Sequence, residues 1–98
     1  MARYACVQGI LGGGIDVAVW ACDGEAIIKV ELGSSHKLAE VRQGQIAQVS
    51  ELVTEGYRLT LTSSMRRELC QLATRARGLS ERNAQEALEL RNVVTVPA

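Results

Sequence analysis

The 98-residue chain has no phenylalanine, one proline (Pro97), one histidine (His36) and only three aromatic side chains, Tyr4, Trp20 and Tyr57. With a single imidazole, a Ser/His/Asp or Cys/His relay has one candidate base and no nucleophile placed beside it in sequence. Cysteine is sparse and odd in number: Cys6, Cys22 and Cys70 form no Cys-x-x-Cys pair. Tetrahedral zinc requires four close ligands, so the expected state is buried, reduced thiols and no metal or other cofactor. Reduced thiols fit a reducing compartment, the cytoplasm. Neither sign of charge is in excess, with eleven basic and eleven acidic residues, which excludes a polybasic or polyacidic tail. The longest apolar run, Val17 to Cys22, is six residues, against the ~20 that a membrane helix needs. The N-terminal residues carry neither a basic-then-apolar signal nor an Arg/Ser-rich leader. The expectation is a single globular domain over residues 1–98, away from membranes.

Glycine, by contrast, is used with purpose. Residues 3–11 and 15–22 read as strands around Gly12-Gly13-Gly14, a run able to supply the positive φ angles of a tight hairpin. Asp23-Gly24 marks a second turn, and 26–32 is a third β-branched run. In 15–22 both faces are mostly apolar, which predicts a central strand covered on both sides. Gly9-x-x-Gly12-Gly13-Gly14 has the look of a phosphate cradle. Such a loop needs a helix N-terminus straight after it, and the residues that follow read as a strand.

The period then changes. Leu38, Val41, Ile46, Val49, Leu52 and Val53 recur at helical spacing after the candidate caps Ser34 and Ser35, with Gly56 as the stop. Residues 57–62 alternate as a fourth strand. Ser63 or Ser64 opens a helical segment with Met65, Leu69, Leu72, Ala73 and Ala76 on one stripe, closed by Gly78. Ser80 opens a second, with Ala84, Ala87, Leu88 and Leu90 inward. Asn92 ends it before a short strand over 93–96. The predicted order is βββαβαβ, an α/β fold. In it a three-strand antiparallel meander is extended by parallel strands through helical crossovers, giving a mixed five-strand sheet.

That order, with the strings Cys6-Val7-Gln8-Gly9 to Asp16, His36 to Val41, Leu59 to Ser64 and Val93 to Ala98, resembles a degenerate, truncated ribonuclease H-like fold. The resemblance implies a nuclease ancestor that holds two divalent cations between convergent carboxylates. Matched position by position, the first-strand Asp is Gln8 and the fourth-strand Asp is Ser63. Only the helix Glu is retained, as Glu40, and the last acidic position would fall beyond Ala98. One carboxylate cannot hold two cations; Asp16 and Asp23 read as strand-end and turn residues. The expected protein is therefore not an enzyme, with a residual metal-dependent nuclease as one alternative.

Charge is unevenly spread. Residues 57–98 carry seven basic and four acidic side chains, with Arg66, Arg67, Arg75, Arg77 and Arg82 in the helical region. Arginine's planar fork suits phosphate, so a nucleic-acid-binding surface here is the second alternative. Glu68, Glu81, Glu86 and Glu89, interleaved as ion-pair partners, give the plainer reading of a solvated helix face. Residues 72–80 resemble a helix-turn-helix string with one residue too many before Gly78, and the recognition helix would present Glu81, Glu86 and Glu89 to phosphate. Trp20 and Tyr4 are the aromatic anchors of the meander and candidate interface residues. The leading expectation is a small non-catalytic binding or inhibitory protein that acts on a protein partner. An accessory protein of a phage or other mobile element, of the anti-defence type, has this size and this lack of motifs. A free sheet edge offers a further route, to a homodimer.

Overall fold

The computed structural model describes residues 4–22, 24–33 and 37–95, with the side chains of Tyr4 and of 83–95 outside the description. Six strands, one 3-10 helix and one long α-helix follow in chain order. They are β1 (Tyr4–Leu11), β2 (Ile15–Cys22), β3 (Ile27–Leu32), β4 (Leu38–Arg42), the 3-10 helix (Gln43–Gln48), β5 (Glu51–Thr54), β6 (Tyr57–Thr60) and α1 (Ser63–Thr95). β1 to β4 form an antiparallel meander in the order β1-β2-β3-β4, and β5 and β6 form a separate antiparallel hairpin.

This corrects the predicted five-strand mixed sheet. Every strand pairing among the described residues is antiparallel, so there is no mixed five-strand sheet and no helical crossover between parallel strands. The stretch expected to be one helix, 38–53, is β4, the 3-10 helix and β5. Its burial explains why. Ala39 and Val41 are inside while Leu38 is exposed, the period-two pattern of a strand with one wet face. The spacing of Leu38, Val41, Ile46 and Leu52 that suggested a helix spans three different elements. Gly56 is not a helix stop; its φ of +86° serves the turn between β5 and β6. Ser34 and Ser35, read as caps, lie outside the described residues, as does Val96.

The first three strands form where the glycines place their turns. Gly13 and Gly14 have φ of +92° and +82°, a conformation that a Cβ opposes, and Gly14 N–H closes the loop on the Leu11 carbonyl at 3.0 Å. Alternation then sorts the side chains. Val7 and Leu11 from β1, Val17, Val19 and Ala21 from β2, Ile28, Val30 and Leu32 from β3, and Ala39 and Val41 from β4 all enter one core.

Helix α1 covers that core with Met65, Leu69, Leu72, Ala73 and Ala76, the stripe marked by the sequence period, and packs against β1 and β2. Ile46, Leu52 and Leu61 join the same cluster. Its N-cap is Thr62 rather than Ser63 or Ser64: the Thr62 hydroxyl accepts from Met65 N–H at 3.2 Å. Gly78 and Ser80 do not divide the helix. Ser80 is fully buried and its Oγ donates to the Arg77 carbonyl at 2.8 Å, so its hydroxyl is satisfied within the helix instead of capping a new one. Residues 72–80 are continuous helix, without the turn a helix-turn-helix requires, and 93–95 continue it where a strand was expected. At ~1.5 Å per residue the 33-residue helix is roughly 50 Å long, matching the 56 Å long dimension of the molecule. Among the described residues no helix is long and apolar enough to cross a membrane.

Candidate functional site: the open sheet face and the free edge of β1

The meander buries one face and leaves the other open. On the open face of β2, Asp16 is exposed and Ala18 and Trp20 are half-buried, which corrects the expectation that this strand is covered on both sides. The strand register builds the surface row by row. Cys6, Trp20, Lys29 and Glu40 lie across from one another, and so do Gln8, Ala18, Glu31 and Leu38. Ala18 is the small member of its row. Between Gln8 and Glu31 it leaves a groove of ≈ 380 Å³, bounded also by Gly9, Asp16, Val17 and Gly33. Two carboxylates line this groove and no cationic side chain does.

Trp20 stands one row along from the groove, between Cys6 and Lys29. Its indole Nε1–H is buried and meets no acceptor among the described residues, a rare condition that costs about 1–3 kcal/mol. Burial, and then the nearby Glu31 carboxylate, push the Cys6 thiol above its ordinary range, so this cysteine is held protonated rather than activated. No disulfide joins Cys6, Cys22 and Cys70.

The edge of the sheet is set by hydrogen-bond phase. Gly33 N–H donates to the Asp16 carbonyl at 2.9 Å, so Asp16 and, by alternation, Ala18 and Trp20 bond toward β3. Val17, Val19 and Ala21 therefore bond toward β1, onto Gly9, Val7 and Ala5. The main-chain N–H and C=O groups of Cys6, Gln8 and Ile10 consequently point away from the sheet. No described side chain or main-chain group takes them. Tyr4–Leu11 contains no charged residue and no proline, and Ile10 is 65% exposed. The opposite edge differs. β4 is five residues long, and the groups it points outward belong to Leu38, Glu40 and Arg42, so two of the three positions carry charge. Charge guards that edge against pairing, and nothing comparable guards β1.

The arginines divide into two sets. Arg77 Nη1 donates to the carbonyls of Cys22, at 2.8 Å, and of Glu25, and its Nε lies 3.6 Å from Glu81. It is the clamp that holds the β2–β3 turn on α1. Arg66 donates to the Leu61 carbonyl and Ser63 Oγ, bracing the start of α1. Arg67, Arg75 and Arg82 are exposed, and Arg67 shares a second cleft of ≈ 370 Å³ with Arg66, Ala47, Ser63 and Cys70. Glu68 is not a partner of these arginines; it accepts from Gly12 N–H at 2.8 Å and ties the glycine hairpin to α1.

The carboxylates do not converge. Glu40, expected on a helix, is exposed on β4, two strands from Asp16 and several residues along. Strand spacing and rise put them on the order of 16 Å apart. Among the described residues no group of three or more His, Cys, Asp and Glu side chains lies close enough to hold a metal ion, while Asp23 and His36 lie outside the description. Tyr4 contributes its backbone to β1.

No family model, no curated protein and no solved structure matches this chain. The reading of its function rests on the geometry alone. Sequence reasoning marked Trp20 and a free edge but missed the Asp16/Glu31 groove. Those two residues are far apart in the chain, and only the β2–β3 register brings them to one surface.

Proposed function

We propose that this chain is a non-catalytic protein-binding module that engages its partner by adding a strand to the free edge of β1, with the open sheet face beside it as the bed for the partner's side chains. The outward-facing N–H and C=O groups of Cys6, Gln8 and Ile10, on an uncharged strand eight residues long, are the observation that carries this reading. Strand addition draws affinity from main-chain bonds and specificity from alternate side chains. Here the alternate positions would meet Gln8, Ile10 and the acidic groove beside Trp20. An inhibitory role, as in an accessory protein of a mobile element, would follow if the added strand belonged to a working enzyme.

The test is a photo-crosslinking residue installed at Gln8 in cells, with the same residue at Arg75 on the far side of α1 as the control. Adducts specific to position 8, lost when Ile10→Lys places charge on the edge, support the reading. Equal labelling from both positions, or none from position 8, removes it.

A further inference from the structure

Resting on the reading that the β1 edge accepts a strand, we infer that its occupant is the same strand from a second copy of this chain, paired antiparallel about a two-fold axis through Gln8. The inference comes from what the edge presents. A two-fold pairing sets this segment against its own copy, so a segment carrying charge of one sign would repel itself. This one carries no charge.

The register follows from the phase of the hydrogen bonds and from exposure. Cys6, Gln8 and Ile10, with Tyr4 by the same alternation, point main-chain groups outward, so outward residues must face outward residues across the new pairing. Centring the axis on Gln8 pairs Ile10 of each copy with Cys6 of the other. Ile10, 65% exposed in the single chain, then lies beside the half-buried Cys6–Trp20 surface, an apolar neighbourhood. The two Gln8 side chains meet at the axis, where each amide can donate to and accept from the other. A centre on Val7 would set Ile10 against Tyr4 instead, and a centre on Cys6 would leave Ile10 beyond the paired stretch; only the Gln8 centre places Ile10 opposite Cys6. The result is one continuous eight-stranded antiparallel sheet with both helices on the same face, beneath the four central strands.

The experiment is sedimentation velocity on the purified full chain over a concentration series, with three variants. The native chain is expected to move from 10.6 kDa to twice that mass as concentration rises. Gln8→Lys sets like charges directly opposite each other at the axis and weakens the dimer about tenfold, with unchanged circular dichroism because Gln8 is exposed. Gln8→Cys, oxidised, gives a covalent dimer bridged between the two introduced thiols by peptide mapping, since facing hydrogen-bonded residues sit ~5.5 Å apart at Cα, within disulfide reach. Arg75→Cys, exposed on α1, gives no such dimer. A chain monomeric at every concentration, or a dimer indifferent to Gln8→Lys, overturns the inference. A monomeric chain whose position-8 crosslinker still captures another protein in cells leaves the strand-addition reading standing and replaces the second copy with that partner. Absence of both signals removes both.

Discussion

Leu72 occupies the place that a side chain on Gly9 would need. A β-carbon built on Gly9 comes within 2.8 Å of both Leu72 Cδ atoms, closer than carbon atoms pack. Gly9 lies on the buried face of β1 between Val7 and Leu11, so the glycine is what lets α1 approach the sheet there. Gly9→Ala is expected to destabilise the fold by about 1 kcal/mol and Gly9→Val by about 1–3 kcal/mol, because Leu72 is itself buried and has little room to turn aside. In a urea-denaturation double-mutant cycle with Leu72→Ala, the Gly9→Ala penalty should shrink or change sign. An unchanged penalty in the Leu72→Ala background would show that the two residues do not compete for the space.

The Arg77 clamp supports a second expectation. One guanidinium holds two carbonyls of the β2–β3 turn, and charge-assisted bonds of this kind are worth more than neutral ones. Arg77→Ala should cost about 1–3 kcal/mol. Glu81→Ala should cost under about 0.5 kcal/mol, since Glu81 is largely exposed and an exposed i,i+4 pair contributes little. Arg77→Lys should recover only part of the loss, because the ammonium keeps the charge but loses the Nε contact to Glu81 and the rigid plane that aims Nη1 at both carbonyls. Equal costs for the two alanine variants, read from denaturation midpoints, would show that the ion pair and not the turn is what Arg77 holds.

How far the fold could be read from the chain depends on the range of the signal. The first three strands of the meander were legible because their turns are written locally, in Gly12 to Gly14 and Gly24, and the strands alternate. The stretch 38–53 was not, because spacings of three and four residues arise by coincidence when a short strand, a 3-10 helix and another strand follow in turn. Gly78 and Ser80 resemble a helix stop and a cap, which in the sequence divides α1 in two. Neither local preference outweighs the packing of Leu72, Ala73 and Ala76 on one side of that point. The site was partly legible. Trp20 stood out by its type, whereas the groove and the outward groups of β1 depend on which residues face which across strands, and that is fixed by register alone.

Cys6 gives a prediction with a definite sign. Burial, and then Glu31, raise its pKa above that of the unfolded thiol. The folded state therefore prefers the protonated form. This preference costs no stability while pH stays below the ordinary thiol range, and stability falls as pH rises through the folded value. Peptide-resolved alkylation should place the midpoint for Cys6 above that of the denatured chain. Glu31→Gln should lower it part of the way, leaving the larger effect of burial in place. A Cys6 midpoint at or below the denatured one would contradict the packing of Cys6 described above.

The phase of the β1–β2 ladder yields the sharpest contrast, because adjacent residues should respond oppositely to the same substitution. Gln8 points its N–H away from the sheet, so Gln8→Pro removes no bond within the chain, and Val7 before it is already in the extended conformation that proline demands of its neighbour. Its stability cost should stay within about 1 kcal/mol. Val7 bonds to Val19 and is buried, so Val7→Pro deletes a ladder bond and core volume together. Losses of about 3 kcal/mol or more are expected, enough to unfold much of a small domain. Circular dichroism and thermal melting of the two variants decide the matter. If Gln8→Pro proves as damaging as Val7→Pro, the N–H of Gln8 is already bonded within the chain, and the edge has nothing to offer a partner strand.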